Sequence, residues 1–285
     1  MSWRFIVPGV GVLLLSAWIV AETQLPGVGA GALLHPARRR FLVERPSTCH
    51  GVVLSSDGLQ LKGWQCDPAT ARRGTIVYLH GVADNRSSGA GVVDRFSRRG
   101  FDVVAYDSRA HGESDGDTCT YGFFEKGDLH RILDTVGPGP IVLIGSSLGG
   151  AVALQEAAHD PRVTAVVAAE TFSDLRTVAT ERAPVVFTSG IIARAFRVAE
   201  QQGGFSVDDV SPVAAAADIK VPVLLIHGAI DSDTRPDHSR RVLAALKGPK
   251  RLILVPGAHH NESLTGDVWR EVERWVDEIL GSRPV

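Results

Sequence analysis

Two adjacent serines, Ser146 and Ser147, stand among glycines in the stretch "IVLIGSSLGGAVALQEAA" (141–158). Ile141, Val142, Leu143 and Ile144 precede them, bounded upstream by Gly139 and Pro140. A short apolar run with β-branched members suits a buried strand of a parallel sheet. From Leu148 onward Ala, Leu and Gln dominate, which predicts a helix. The spacing Gly145-x-Ser147-x-Gly149 then fits a tight strand-to-helix turn that lifts a serine hydroxyl clear of the sheet. Small residues flank it because neighbouring backbone crowds those positions. The chemistry open to such a serine is nucleophilic attack, with Ser146 filling the variable position. Composition alone also produces this pattern in a chain with 30 glycines. A nucleophile therefore needs a base to take its proton and an acid to orient that base.

Both companions lie beyond later apolar runs. After "VPVLLIHG" (221–228), the stretch "AIDSDTRPDHS" offers Asp231, with Asp233 as a rival further from the strand. After "KRLILVPG" (250–257), "AHHNES" offers His259 and His260. Three strand ends thus supply Ser147, Asp231 and His260 in an order compatible with a triad. The histidine would accept the serine proton, and the aspartate would hold its tautomer and stabilise its cation.

The elements between these residues alternate. "SSDG" (55–58) predicts a β-hairpin between strands at 49–54 and 59–66. Further strands are expected at 74–81, 100–107, 141–145, 162–170, 221–228 and 250–257, with helices near 90–99, 123–135 and 267–280. Val268, Val272, Trp275, Val276 and Ile279 share one face of the last helix. Strand–helix alternation implies a doubly wound, mostly parallel sheet that binds ligands at the carboxyl ends of its strands.

From about residue 45 to 280 the chain resembles the serine hydrolases of the α/β-hydrolase superfamily. It is similar to small-capped esterases, lysophospholipase-like enzymes and prolyl-oligopeptidase-type domains. The resemblance rests on "HGVADNRSS" (80–88), "DSRAHGES" (107–114), "GSSLGG" (145–150), "HGAIDSDTRP" (227–236) and "PGAHHNES" (256–263). It implies an α/β-hydrolase fold, selects Asp231 as the acid, and selects His260 over His259. The backbone N–H groups of Val82 and Leu148 become the oxyanion donors. His80, His227, Arg109 and His111 are expected to be structural, Cys119 a buried small residue, and Glu125 and Asp128 either helix surface or loop braces. No cofactor or metal is called for. The expected substrate is a carboxylic ester, acyl-lipid esters included. A peptidase of the same fold and an inactive membrane-tethered binding module are the alternatives.

A net charge of −2, from 30 Lys and Arg against 32 Asp and Glu, gives no reason to expect nucleic acid. Residues 5–21, "FIVPGVGVLLLSAWIVA", carry no charge and approach the length of a membrane span. Residues 1–22 are expected to be a membrane anchor or a cleaved signal, 23–45 a linker, and 46–282 the catalytic domain with a short cap insertion at 171–220. Counting outward from the hairpin turn sets Cys49 opposite Cys66, close enough for a disulfide, with two reduced cysteines as the alternative. A bridge implies an oxidising compartment and an anchored, extracytoplasmic domain. The competing locations are secretion after cleavage and the cytoplasmic face, which Arg38, Arg39 and Arg40 favour.

Overall fold

Segments β3 (Gly74–Leu79), β5 (Ile141–Ser146), β6 (Val163–Ala169) and β7 (Val223–Gly228) are buried along almost their whole length. Strands apolar on both faces need cover on both faces, which a parallel sheet layered between helices supplies. The computed structural model describes residues 22–39, 41 and 43–281. It sets these strands at the centre of a sheet that also holds β1 (Cys49–Ser56), β2 (Leu59–Cys66), β4 (Phe101–Tyr106) and β8 (Lys250–Val255). The eight strands run in the order β1-β2-β4-β3-β5-β6-β7-β8. Only β2 opposes its neighbours; the other pairs are parallel.

The period of two in each strand sorts side chains into two cores. Ile76, Val142, Ile144 and Ile226 face α2 (Ala90–Ser97) and α9 (Gly266–Leu280). Val77, Leu143 and Leu225 face α3 (Glu125–Leu133), α4 (Leu148–Ala157) and α8 (Asp237–Ala245). Val268, Val272, Trp275 and Val276 bury the expected stripe of α9. The hairpin register pairs Cys49 with Cys66, and the two are bridged. A cross-link over a separation of 17 residues stabilises such a fold by about 3 kcal/mol in the chain-entropy model.

Residues 23–45 are not the expected linker throughout. Residues 22–34 form a helix, α1, which packs on the cap. The cap segment holds α5 (Leu175–Glu181), α6 (Ser189–Gly203) and α7 (Pro212–Ala216). Ala30 and Leu34 join Phe172, Leu175, Phe196 and Phe205 in a third apolar cluster. Gly29 permits the close approach: a Cβ there would lie 2.8 Å from the Phe187 ring and 3.1 Å from Ala195 Cβ. Glycine and proline lower the local helix propensity of this stretch, but packing against distant residues outweighs that. The chain beyond α1 is also held. Arg38 donates to the carbonyls of Gly112, Ser114 and Gly116 at 3.0, 2.7 and 2.7 Å. Residues 5–21, with their anchor and signal readings, lie outside the described residues. Among those described, no helix is long and apolar enough to cross a membrane.

Leu34 is fully buried, so Leu34→Ala is expected to destabilise the fold by about 2–5 kcal/mol. Urea denaturation measures this, and a neutral result would show that α1 is not docked in solution.

Candidate active site

The turn after β5 is built by close backbone approach. A Cβ on Gly145 would collide with the Gly149–Gly150 peptide, and one on Gly149 with the Leu79 carbonyl. Between them Ser147 sits at φ 50°, ψ −111°, a conformation that costs a non-glycine residue about 1–3 kcal/mol. The strain persists because the surroundings over-determine it. Ser147 N–H donates to the Ala169 carbonyl at 2.8 Å, and its own carbonyl accepts from Ala151 N–H at 3.1 Å inside α4. Ser146 remains the last residue of β5, paired with Ala169.

Three sequence-predicted side chains meet here. His260 Nδ1 donates to Asp231 Oδ2 at 2.7 Å. A carboxylate only accepts, so Nε2 is left as the acceptor facing Ser147 Oγ, 3.2 Å away. Asp231 Oδ1 accepts from the N–H groups of Asp233 and Thr234, each at 2.9 Å. His227 Nε2 stands 3.3 Å from Oδ2. Burial pushes the Asp231 carboxyl up, but hydrogen bonds from His227, His260 and Thr234 N–H outweigh it and hold the group well below the usual carboxylate range. The carboxyl is thus held in its ionised form.

The rivals are elsewhere. Asp233 has an exposed carboxylate, and its carbonyl accepts from Arg182 Nε at 2.9 Å. His259 is exposed, its N–H bonded to Glu262 at 2.9 Å. Cys119 is fully buried, and burial drives its thiol pKa up. Glu125 and Asp128 brace the loop between β4 and α3. Glu125 accepts from Thr120 and Gly122, and Asp128 pairs with Arg109 at 2.6 and 2.7 Å. Leu148 opens α4, so its N–H has no partner within the helix and lies at the positive end of its dipole. Val82 follows Gly81, where a Cβ would lie 3.6 Å from Ser147 Cβ. Both expected oxyanion positions therefore border the serine.

Two residues matter more than their sequence context suggests. His227, expected to be structural, also faces the acid. It spans β7 and the next loop, with Nε2 donating to the Thr234 carbonyl at 2.7 Å and Nδ1 accepting from Ser239 Oγ at 2.6 Å. Glu170, directly after β6, accepts from two backbone N–H groups in the His260 loop. The signal available for Glu170 is a charged residue ending an apolar strand run.

A cavity of about 520 Å³ opens beside the Val82–Ala83 turn. α1 supplies Val28, Gly29, Ala32 and Leu33; α5 supplies Leu175, Val178 and Ala179; α6 supplies Ile192, Ala195 and Phe196. Arg182 and His35 are the basic residues of the lining.

Comparison with known proteins bears on the family and the fold. Residues 74–189 match the family model described as the alpha/beta hydrolase fold, and residues 133–283 match that of the prolyl oligopeptidase family. The protein YfhR of Escherichia coli (strain K12), itself uncharacterized, is 31% identical over 242 residues, covering 80% of this chain and 79% of its own length. Among solved structures, the Pyrococcus furiosus esterase Pf2001 superposes with TM-score 0.66 at 21% identity, over 86% of this chain and 98% of its own. Pyrococcus horikoshii acylaminoacyl peptidase gives TM-score 0.64 at 16% identity, over 83% of this chain and 42% of its own.

The floor of the site carries a pH dependence. His80 ties the Gly81 carbonyl to the Ser108 N–H, at 2.7 and 3.0 Å. His111 packs edge-on against it at 5.1 Å, donates from Nδ1 to the Arg109 carbonyl, and leaves Nε2 buried without a partner among the described residues. Burial and the neighbouring His80 push His111 down to about 4 from an ordinary 6.5. The unfolded chain therefore takes up this proton first. The stability that neutral His111 contributes is complete above about pH 6.5 and is lost as pH falls toward 4. His111→Asn, which keeps the donor to Arg109, is expected to flatten the pH dependence of urea stability across that window; an unchanged slope would contradict the assignment.

Proposed function

The chain belongs to the α/β-hydrolase superfamily, and from that premise we propose that it is a serine hydrolase of carboxylic esters, acyl-lipid esters included. The observation that carries the reading is the continuous hydrogen-bonded relay from Asp231 through His260 to Ser147. His260 Nε2 takes the Ser147 proton as Oγ attacks the ester carbonyl. The N–H groups of Val82 and Leu148 receive the oxyanion. Collapse expels the alcohol, which leaves with the proton from His260, and water then cleaves the acyl-enzyme by the reverse roles. Asp231 stays ionised and stabilises the imidazolium.

The apolar cavity beside the oxyanion turn supports an acyl chain as the bound part of the substrate. The Cys49–Cys66 bridge supports an oxidising, extracytoplasmic location, with residues 5–21 as a membrane anchor. The match to the prolyl oligopeptidase family favours a second reading, a peptidase using the same three residues.

Fluorophosphonate labelling followed by peptide mapping tests the nucleophile, and p-nitrophenyl esters set against aminoacyl-nitroanilides test the substrate. Ser147 is expected to be labelled, and esters are expected to be cleaved far faster. Preferential anilide cleavage would establish the peptidase reading. Ser147→Ala and His260→Ala should each lower kcat by roughly 10³-fold or more, while Ser146→Ala and His259→Ala retain most activity. The cavity makes a further demand. Each buried methylene is worth about 0.8 kcal/mol, so kcat/KM should rise up to about fourfold per carbon along the ester series until the cavity is full. Ala179→Trp should leave acetate esters within about threefold of wild type and erase the gain for decanoate. A flat series in the unmodified protein would remove the cavity from the substrate site.

A further inference from the structure

Glu170 is a buried acid that the chemistry above does not use. The residue as a whole is 1% exposed. A charge in such a site needs hydrogen-bond donors. It has two, both from backbone 91 and 93 residues further along the chain: Asn261 N–H to Oε2 at 2.6 Å and Ser263 N–H to Oε1 at 3.0 Å. These donors lie just past His260. Asn261 has φ 65°, so the chain turns sharply there, and the turn sends both N–H groups to the same carboxylate.

The backbone of Glu170 is equally constrained. It has φ 52°, and its N–H donates to the Ile226 carbonyl at 2.7 Å at the end of β7. The preceding residue, Ala169, accepts the Ser147 N–H at 2.8 Å. One dipeptide thus grips both halves of the relay. The Ala169 carbonyl holds the turn bearing Ser147, and the Glu170 carboxylate holds the loop bearing His260. The link to β7 ties the same dipeptide to the strand that carries Asp231 on its following loop.

We propose that Glu170 is a positioning residue of the hydrolytic site, setting the separation of His260 from Ser147 by clamping the two N–H groups behind the histidine. This rests on the serine hydrolase reading. It requires two acceptor oxygens at one place. Glutamine offers one, and its amide group would face the other N–H with a second donor. Glu170→Gln should therefore fail nearly as badly as Glu170→Ala, although its shape and packing are almost those of glutamate.

The test measures kcat and KM per active site titrated with a fluorophosphonate, the rate of that labelling, and crystal structures of the full chain and Glu170→Gln. The expected result is a kcat lower by about 10- to 100-fold with KM within about twofold, since a shift of about 1 Å between reacting groups costs up to about 10²-fold. Labelling slows in parallel, and the His260 Nε2 to Ser147 Oγ separation exceeds the present 3.2 Å. A merely structural role would lower the yield of titratable sites and leave kcat per site and the separation unchanged; that outcome overturns the proposal. A full chain that neither labels nor hydrolyses would overturn the hydrolase reading, and the two crystal structures would still decide whether Glu170 sets the separation.

Discussion

A carboxylate stripped of water at the end of β7 has to be satisfied by the protein, and much of the site follows from how Asp231 is satisfied. Its Oδ1 takes two backbone N–H groups from the turn that follows, and its Oδ2 faces two imidazoles. The turn at 231–234 is therefore folded around the charge. His227 is pinned between β7 and that turn. His260 is left with one protonated nitrogen on the acid and one bare nitrogen toward Ser147. An unpaired charge in this position would cost several kcal/mol. The electrostatic requirement and the directional one are met by the same donors, so the acid both fixes the tautomer and ties its own turn and the His260 loop to β7.

The strained serine depends on a different kind of support. Its turn exists because two glycines let α4 press against β3 and β5, and the parallel sheet holds those strands in register. The same sheet order puts β5, β6, β7 and β8 side by side, with Ser147 just past β5, Asp231 past β7 and His260 past β8. Each of the three relay residues can then sit on a loop while its spacing is governed by hydrogen-bonded strands. Rigid elements beneath and adjustable loops above are what a reaction needs when its groups must be positioned to a fraction of an ångström.

Much of this was legible in the residues themselves, and the parts that were not share a cause. The glycine spacing around Ser147, the two-sided apolar strands and the hairpin turn opposite Cys49 and Cys66 are local signals, and the structure carries each of them. Asp231 and Asp233 are two residues apart with the same chemistry; only the fold of the turn separates an acid aimed inward from one aimed at Arg182. In the sequence His227 is one more residue of a strand end, and only the fold of β7 and its following turn sets it against Asp231. Glu170 has no motif, because its partners are backbone N–H groups, which any sequence supplies. α1 carries no local helix signal, because Gly27, Gly29, Gly31 and Pro26 weaken a helix in isolation. Its stability comes from Phe187, Ala195 and Phe205, far away in sequence and invisible to local propensity.

α1 is a wall of the cavity and also the first described element of the chain. Val28, Gly29, Ala32 and Leu33 line the space proposed for the acyl chain, while about two turns upstream on the same helix Glu22 pairs with Arg194 of α6. The first described turn of the chain and one wall of the cavity therefore belong to a single helix, fastened to the cap through Glu22 and through the close contact of Gly29 with Phe187 and Ala195.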